Sequence, residues 1–270
     1  MGQPMVIEAI PAGDGIVAAQ AVMRAPADGY TLMMASGGPI TVNPAFHTAK
    51  LPYDPQRDFH PVVMVAQFNS VILANAALPV NSLKELVAMA RAKPGTVNFA
   101  TAGTPTTSNL YAEWFRKTQG VDFYNVPYKS NSQALQAVVA GEAHATVFAA
   151  GNAISQARAG KVKVLALIAD GRNPAYPDIP ALKEQGVDLV IRNWYGLFVR
   201  AGTPRDIVTR WNAAVSRAIA DPAIQEKVLL ANGMERAAPS GESPEAFEQF
   251  LKRDRALYER LKADTGIKID

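Results

Sequence analysis

Short apolar runs recur along the chain and are separated by Gly, Pro, Asn and Asp. Runs of three to five residues bounded in this way are typical of buried strands. The predicted strands are Met5–Ile7, Thr31–Ala35, Val62–Val65, Ser70–Ala74, Val97–Ala100, Asp122–Val126, Ala145–Phe148, Val164–Ile168, Leu189–Ile191 and Gly196–Val199.

Longer segments between these runs carry apolar residues at helical spacing, and several begin at recognisable start signals. Ser82 and Glu85 predict a capping box, in which each side chain accepts a hydrogen bond from the other residue's backbone. The predicted helices are Ile16–Ala25, Ser82–Ala92, Leu110–Thr118, Ser132–Ala140, Ile154–Arg158, Ala181–Glu184, Thr203–Ala220, Ala223–Ala231 and Ser243–Thr265. The alternation of strands and helices predicts an α/β fold with mainly parallel sheets covered by helices on both faces.

The length of 270 residues allows one large domain or two smaller ones. The segment from Thr203 onward is almost entirely helical, which favours a return of the chain onto its first sheet. We therefore expect two lobes joined by extended strands near residues 70–74 and 193–199. Residues 1–70 and 193–270 would form lobe 1, residues 71–192 would form lobe 2, and a ligand would bind in the cleft between them.

Composition excludes several classes of function. The net charge is only +3, and no cluster of Lys and Arg indicates a nucleic-acid surface. The most basic segment, Lys252–Lys262, contains interspersed acids and is typical of a solvated helix face. The chain has no Cys, which excludes disulfides and thiolate chemistry. No apolar run is long enough to span a bilayer, and no signal peptide is predicted.

A search for catalytic and metal-binding patterns finds none. The chain has three histidines, His47, His60 and His144, and none has a second ligand at metal-binding spacing. We expect no metal, no cofactor and no catalytic residues. An enzyme would have to depend on an unusual pairing of a serine such as Ser108 with a lysine such as Lys129.

The segment from Val97 to Asn109 is the most informative candidate for binding. It predicts a strand that passes into a helix through a loop rich in Gly and Thr. Because helix N-termini present unpaired N–H groups and a partial positive charge, such a loop suits an anion. The loop lacks the lysine expected of a nucleotide-binding loop. A carboxylate is therefore favoured over a triphosphate as its ligand. The alternative is an ordinary connection in which a Thr or Ser caps the helix.

Three other strand ends carry small, hydroxyl or aromatic residues: Met34–Gly38, Val126–Ser130 and Asn193–Leu197. Together they would supply hydrogen-bond donors around one cleft without an acid, base or nucleophile. Trp194 is open to two interpretations, as a core side chain or as a residue of the cleft.

An ordered set of short motifs resembles the substrate-binding proteins of tripartite tricarboxylate transporters, often called the Bug or TctC-like group. The matching motifs are Gly2–Pro4, Pro26–Leu32, Asn43-Pro44, Leu51–Pro55, Arg57–Phe59, Ser82–Leu86, Lys93–Gly95, Ala102–Thr104, Val126–Lys129, Ala159–Lys161, Pro177–Pro180, Trp194–Leu197, Ala201–Pro204 and Thr265–Ile267. Their order and spacing extend through essentially the whole chain.

The resemblance implies a two-lobed periplasmic binding protein of type II topology, located in the periplasm. Such a protein captures a small organic acid and delivers it to a membrane permease without catalysing a reaction. The implied partners are thus the organic acid and the membrane permease, and no nucleic acid is implied. The implied protein is a monomer that is not embedded in the membrane. The ligand-binding positions carried over by the resemblance are Ser36, Gly37, Ala102, Gly103, Thr104, Thr107, Ser108, Tyr128, Ala149, Trp194 and Tyr195.

Two departures from the family pattern change these expectations. Relatives carry a signal peptide and a first strand ahead of the position of Gly2, so the chain resembles a member that lacks both. Many relatives have an Asp where this chain has Ala149, and that Asp can receive a ligand amine. Ala149 therefore favours a di- or tricarboxylate or an aromatic acid over an amino acid.

Two further interpretations of function remain open from the sequence. The same fold can present a ligand to the sensor of a two-component system. A chain without the first strand can also be a truncated, non-functional paralogue.

Overall fold

The computed structural model describes residues 4–10, 15–103 and 106–268 of the chain. Nine strands are found there: β1 (Leu32–Ala35), β2 (Phe59–Phe68), β3 (Ser70–Asn75), β4 (Asn98–Thr101), β5 (Tyr124–Pro127), β6 (Ala145–Ala149), β7 (Val162–Leu167), β8 (Asn193–Arg200) and β9 (Met234–Glu235). The α-helices among the same residues are α1 (Ile16–Arg24), α2 (Asn43–Phe46), α3 (Pro55–Asp58), α4 (Leu83–Ala92), α5 (Thr107–Gln119), α6 (Asn131–Ala140), α7 (Ala150–Arg158), α8 (Arg205–Ala220), α9 (Pro222–Ile224) and α10 (Pro244–Thr265). Shorter helical turns cover Gly38–Val42, Lys183–Gln185, Gln225–Leu229 and Leu230–Asn232.

The chain divides into two compact units. The first comprises Met1–Gln67, Trp194–Lys262 and Lys268–Asp270, and the second comprises Phe68–Asn193 and Ala263–Ile267. Residues 263–267, which the sequence analysis placed with lobe 1, thus cluster with the second unit. They contribute two buried side chains, Thr265 and Ile267.

The first unit is built on a four-stranded sheet with the order β1-β8-β2-β9. Strands β1 and β8 pair antiparallel, so that Leu32 lies opposite Val199 and Ala35 lies opposite Gly196. The core contains an aromatic group formed by Trp194, Phe198, Phe247 and Phe250. Burial of large rings of this kind supplies much of the hydrophobic stabilisation of a domain.

The second unit is built on a five-stranded sheet with the order β5-β4-β6-β3-β7. Strand β4 pairs parallel with β5 and β6, as expected from the alternation of strands and helices. Strand β3, however, pairs antiparallel with both β6 and β7, so the prediction of mainly parallel sheets is corrected to a mixed sheet. Strand β3 lies between β6 and β7, which run parallel to each other and are joined by the helical crossover through α7.

Eight of the predicted strands are confirmed within a few residues, and two are wrong. Met5, Val6 and Ile7 are 71%, 94% and 90% exposed and pair with no strand among the described residues. An apolar run of this kind needs a partner strand for its backbone groups. The Leu189–Ile191 segment is irregular, because the Tyr111 hydroxyl takes the place of a strand partner. That hydroxyl donates to the Leu189 carbonyl oxygen at 2.8 Å and accepts from the Ile191 N–H at 3.3 Å.

The predicted start of α4 is confirmed with one change. The Ser82 hydroxyl accepts from the Glu85 N–H at 3.1 Å, but the Glu85 carboxylate accepts from the Asn81 N–H at 2.7 Å instead of from Ser82. Among the described residues, no helix is both long and apolar enough to cross a bilayer.

Candidate functional site

The candidate residues of the first unit lie directly after β1. Ser36 and Gly37 are half-buried and lead into the helical turn at Gly38–Val42, which continues into α2. The sequence analysis identified the small residues here but missed the helical segment. The signal for it is a pair of prolines, Pro39 and Pro44, each near the start of a helical element, where proline is favoured.

Gly37 packs closely on two side chains of the same unit. A Cβ atom built on Gly37 would lie 3.2 Å from Thr41 Oγ1 and 3.6 Å from Trp194 Nε1. The Thr41 hydroxyl lies 3.0 Å from the Gly37 carbonyl oxygen and 2.8 Å from Asp254 Oδ2. Its single proton is therefore shared between a backbone and a carboxylate acceptor.

Trp194 is a core residue of the first unit. Its side chain is 1% exposed, and its rings pack edge-on against Phe247 and Phe250. Its Nε1–H donates to Asp254 Oδ2 at 3.1 Å. Of the two interpretations left open by the sequence, the structure shows the core position, and the indole offers no surface to a ligand. Tyr195, the next residue of β8, is half-buried.

Asp254 is a residue that the sequence analysis missed. It is 6% exposed, although it lies in the segment that was interpreted as a solvated helix face. The signal was present in the spacing of α10. Phe247, Phe250, Leu251, Tyr258 and Leu261 form one buried stripe, and Asp254 falls on the same stripe by the three- and four-residue spacing of a helix.

The candidate loop of the second unit follows β4 and ends at the first turn of α5. Thr106 precedes this helix, but its side chain does not cap the helix N–H groups. Its hydroxyl instead donates to the Gly103 carbonyl oxygen at 2.6 Å and lies 3.1 Å from Ser108 Oγ. The Ser108 hydroxyl, 1% exposed, also accepts from the Ala102 N–H at 3.4 Å. Thr104, another predicted ligand-binding residue, lies outside the described residues.

Helix α5 therefore begins without a side-chain cap among the described residues. The alternative of an ordinary Thr or Ser cap is not what the structure has at Thr106. The first N–H groups of any helix have no partner inside that helix and carry a partial positive charge. At α5 these N–H groups adjoin the Thr107 hydroxyl, which makes this loop able to donate several hydrogen bonds to an anion. The Ser108 proton is directed to Thr106 Oγ1, since the Thr106 proton goes to the Gly103 carbonyl oxygen.

Two residues that are not among the predicted ligand-binding positions, Ser70 and Asn193, adjoin this loop within the second unit. Asn193 begins the Asn193–Leu197 strand end that the sequence analysis singled out. Asn193 Nδ2 donates to Ser70 Oγ at 3.0 Å, and Thr107 Oγ1 lies 3.5 Å from Asn193 Oδ1. Ala149 lies opposite Ser70 in the pairing of β3 with β6. Their only signal in the sequence was a polar residue at the end of an apolar run.

The parallel pairing of β4 with β5 and β6 explains why other candidates lie near the same edge of the sheet. Carboxyl ends of parallel strands meet at one edge, and Thr101, Pro127 and Ala149 are the last residues of these strands. Tyr128 follows directly after β5. Its N–H donates to the Thr101 carbonyl oxygen at 2.7 Å, and its ring packs on the core of the unit.

The chemistry of these groups is that of hydrogen-bond donation. The Ser108 hydroxyl makes hydrogen bonds with the Ala102 N–H and with Thr106 Oγ1. The Lys129 residue is exposed, and its backbone N–H donates to Gln133 Oε1. Among the described residues, no group of three or more His, Asp or Glu side chains could hold a metal ion.

Tyr111 has a structural role in the second unit. Burial raises the pKa of its phenol, which stays protonated and makes hydrogen bonds with the backbone of the Leu189–Ile191 segment.

Comparison with known proteins gives one family and several solved structures. Residues 1–262 match the sequence profile of the family described as "Tripartite tricarboxylate transporter family receptor". The chain is 31% identical to MatC (Rpa3494) from Rhodopseudomonas palustris with bound malate, covering 96% of this chain and 88% of that one, with a TM-score of 0.81. It is 29% identical to R. palustris Rpa4515 with adipate, covering 95% and 85%, with a TM-score of 0.83.

A third structure identifies the fold. The chain is 25% identical to the periplasmic binding protein BugD, covering 94% of this chain and 84% of that one, with a TM-score of 0.80. The α/β fold of a periplasmic binding protein, with two sheets flanked by helices, is thereby confirmed.

Proposed function

The chain belongs to the tripartite tricarboxylate transporter receptor family, and on this basis we propose that it is an extracytoplasmic solute-binding protein that captures a small carboxylate. It acts in the periplasm as a monomer and delivers the acid to the membrane permease of a tripartite tricarboxylate transporter. The family is one of receptors, and we assign no catalytic step to the chain.

The observation that carries this proposal is the uncapped N-terminus of α5. A helix of 13 residues begins there beside two hydroxyl residues, Thr107 and Ser108, and no side chain among the described residues caps it. An anion at such an end gains both hydrogen bonds and a favourable interaction with the helix dipole. A carboxylate fits this set of donors without the lysine that a polyphosphate calls for.

We propose ligand-binding residues in each unit separately. In the second unit these are the Ala102–Gly103 backbone, Thr104, Thr107 and Ser108, with Tyr128 and Ala149 at neighbouring strand ends. In the first unit they are the Ser36–Gly37 turn and Tyr195. Trp194 supports this turn from the core, since its indole is buried.

The proposed ligand is a di- or tricarboxylate or an aromatic acid without an amino group. Adipate and malate, the acids in the two R. palustris structures, are both dicarboxylates. Ala149 supplies no carboxylate to receive an amine at the end of β6. The polar groups beside it are the Ser70 hydroxyl and the Asn193 amide, which suit a neutral or anionic part of a ligand.

Isothermal titration calorimetry with malate, adipate, citrate and benzoate tests this proposal. We expect one of these acids to bind, and Thr107→Val to weaken that binding about tenfold, as expected for the loss of one hydrogen bond to a charged group. Thr118→Val in the same helix is the matched control, because the Thr118 hydroxyl donates to the Trp114 carbonyl oxygen, away from the loop. A protein that unfolds cooperatively and binds none of the acids at millimolar concentration contradicts the proposal.

A further inference from the structure

A buried carboxylate lies behind the Ser36–Gly37 turn of the first unit. Asp254 is 6% exposed, and its Oδ2 atom receives the Thr41 hydroxyl at 2.8 Å and the Trp194 indole N–H at 3.1 Å. Burying an ionised carboxylate costs several kcal/mol unless hydrogen bonds compensate for the lost water. A core position that could hold an apolar side chain therefore carries a carboxyl group that accepts hydrogen bonds from two specific donors.

Both donors belong to segments that shape the turn. Thr41 lies one helical turn after Gly37, and its hydroxyl also lies 3.0 Å from the Gly37 carbonyl oxygen. Trp194 lies against Gly37 from another element, with Nε1 3.6 Å from the position that a Gly37 Cβ would occupy. The carboxylate thus holds two of the groups against which Gly37 packs.

We propose that Asp254 is a positioning residue, which acts through Thr41 and Trp194 to fix the Ser36–Gly37 turn in the conformation that binds the carboxylate ligand. This inference rests on the proposed function of that turn. Asp254 itself does not touch the ligand. A carboxylate oxygen accepts stronger hydrogen bonds than a neutral oxygen, and a single atom, Asp254 Oδ2, accepts both bonds here.

The chemistry of Thr41 makes the link testable. When Asp254 accepts the Thr41 proton, the hydroxyl is held in place by a partner on α10, outside its own helical segment. Without that partner, the hydroxyl forms only the local bond to the Gly37 carbonyl oxygen, as threonines in many helices do. The turn then loses its connection to α10, and its backbone N–H groups are no longer held in one arrangement.

Thr41→Val is the first variant, because it keeps the shape of the side chain and removes only the hydroxyl. Thr209→Val is the matched control. Thr209 lies in α8 of the same unit, and its hydroxyl makes the equivalent bond to the carbonyl oxygen of Arg205, four residues earlier. Thr41→Ser restores a hydroxyl and serves as the rescue. We expect Thr41→Val to weaken acid binding about tenfold and Thr41→Ser to recover most of it, while Thr209→Val changes nothing.

A double-mutant cycle separates positioning from general loss of stability. Thr41→Val and Asp254→Asn remove the same charge-assisted bond, so their effects on affinity should be non-additive. Fully additive losses of affinity would show that none of the effect of Asp254 passes through Thr41 and would overturn the inference.

Hydrogen exchange on the ligand-free protein tests the role of Asp254 independently of the proposed function. We expect the peptide covering residues 34–40 to exchange faster in Thr41→Val than in the parent or in Thr209→Val. If the parent protein binds none of the acids, the proposed function fails, while exchange still decides whether Asp254 fixes the turn. Unchanged exchange in Thr41→Val, with or without ligand binding, overturns the inference.

Discussion

Asn193 and Trp194 are consecutive residues of β8, yet their side chains make hydrogen bonds in different units. Asn193 Nδ2 donates to Ser70 Oγ at 3.0 Å in the second unit, and Trp194 Nε1 donates to Asp254 Oδ2 at 3.1 Å in the first. Successive side chains of a strand point in opposite directions, which allows one short segment to make both bonds. Both residues also lie beside a candidate binding loop of their own unit. Asn193 lies beside Thr107 in the second unit, and Trp194 lies beside Gly37 in the first.

A charge placed at Asn193 should weaken the binding of an acid. Asn193→Asp keeps the size of the side chain but removes the donor to Ser70 and adds a negative charge beside Thr107. Like charges about 4 Å apart repel by about 1 kcal/mol or more, depending on the local dielectric constant. We expect about tenfold weaker binding by calorimetry. Asn131→Asp, at the exposed first residue of α6, is the control and should leave the affinity unchanged. Equal affinity in both variants would contradict the placement of Asn193 beside the ligand.

A carboxylate at the end of β6 should change the class of ligand. Ala149→Asp places an acid opposite Ser70, where it would repel a dicarboxylate and attract an amine. We expect calorimetry to show weaker binding of malate and stronger binding of aspartate than in the parent protein. Ala159→Asp, an exposed change beyond the end of α7, should alter neither affinity. Unchanged preference in Ala149→Asp would place the ligand away from this strand end.

The Tyr111 hydroxyl should contribute to stability through the Leu189–Ile191 segment. Tyr111→Phe removes the partner of the Leu189 carbonyl and the Ile191 N–H, both from residues that are 1% exposed. Leaving such groups buried without partners costs about 1–3 kcal/mol. Urea denaturation should show this loss, whereas Tyr124→Phe, at a tyrosine that is 59% exposed, should show almost none. Equal stability of the two variants would mean that the segment finds other partners.

Gly196 should not tolerate a side chain. A Cβ built there would lie 2.3 Å from Phe247 Cζ and 3.3 Å from the Val63 carbonyl oxygen. We expect Gly196→Ala to destabilise the protein by about 1–3 kcal/mol through overpacking, as measured by its urea midpoint. Gly171→Ala is the matched control, since its Cβ would meet no atom within 4 Å. A stable Gly196→Ala variant would show that Phe247 can move aside.

The Asp58 carboxyl should make stability depend on acid pH. Arg57 Nε donates to Asp58 Oδ1 at 2.9 Å, and this bond, aided by the Asp54 N–H, holds the pKa of Asp58 below its ordinary value of 3.8. A carboxyl with a lowered folded pKa stabilises the protein above its unfolded pKa, and this contribution is lost as the pH falls through the folded pKa.

Asp58→Asn should therefore be less stable than the parent at neutral pH, and the difference should shrink as the pH drops below 3.8. The effect should be small and weakened by salt, because the Arg57 side chain is 75% exposed. Urea midpoints measured from neutral to acid pH test this, with Asp188→Asn as the exposed control. A difference that grows toward acid pH would contradict it.

Local patterns in the sequence predicted local structure well. The hydroxyl-rich loop before α5 and the Ser82 cap depend on neighbours in the chain, and both are found. Asp254 was missed because its burial depends on the side of α10 that faces the core, and its basic neighbours Arg253 and Arg255 suggested a solvated surface. The hydrogen bond between Ser70 and Asn193 was not predicted, because it depends on a pairing of distant segments. The antiparallel direction of β3 likewise follows from chain topology, which local periodicity does not encode.

The position of β3 inside the sheet, between β6 and β7, also bears on how the second unit acquires its structure. This strand is made early, but the two strands on either side of it, β6 and β7, follow only after α4, β4, α5, β5 and α6. During synthesis both edges of a buried, apolar strand stay unpaired until those later segments emerge. Long-range pairing of this kind slows folding and exposes the chain to aggregation. We expect the second unit to fold late and slowly, and a chain that stops before β7 to be a substrate for chaperones.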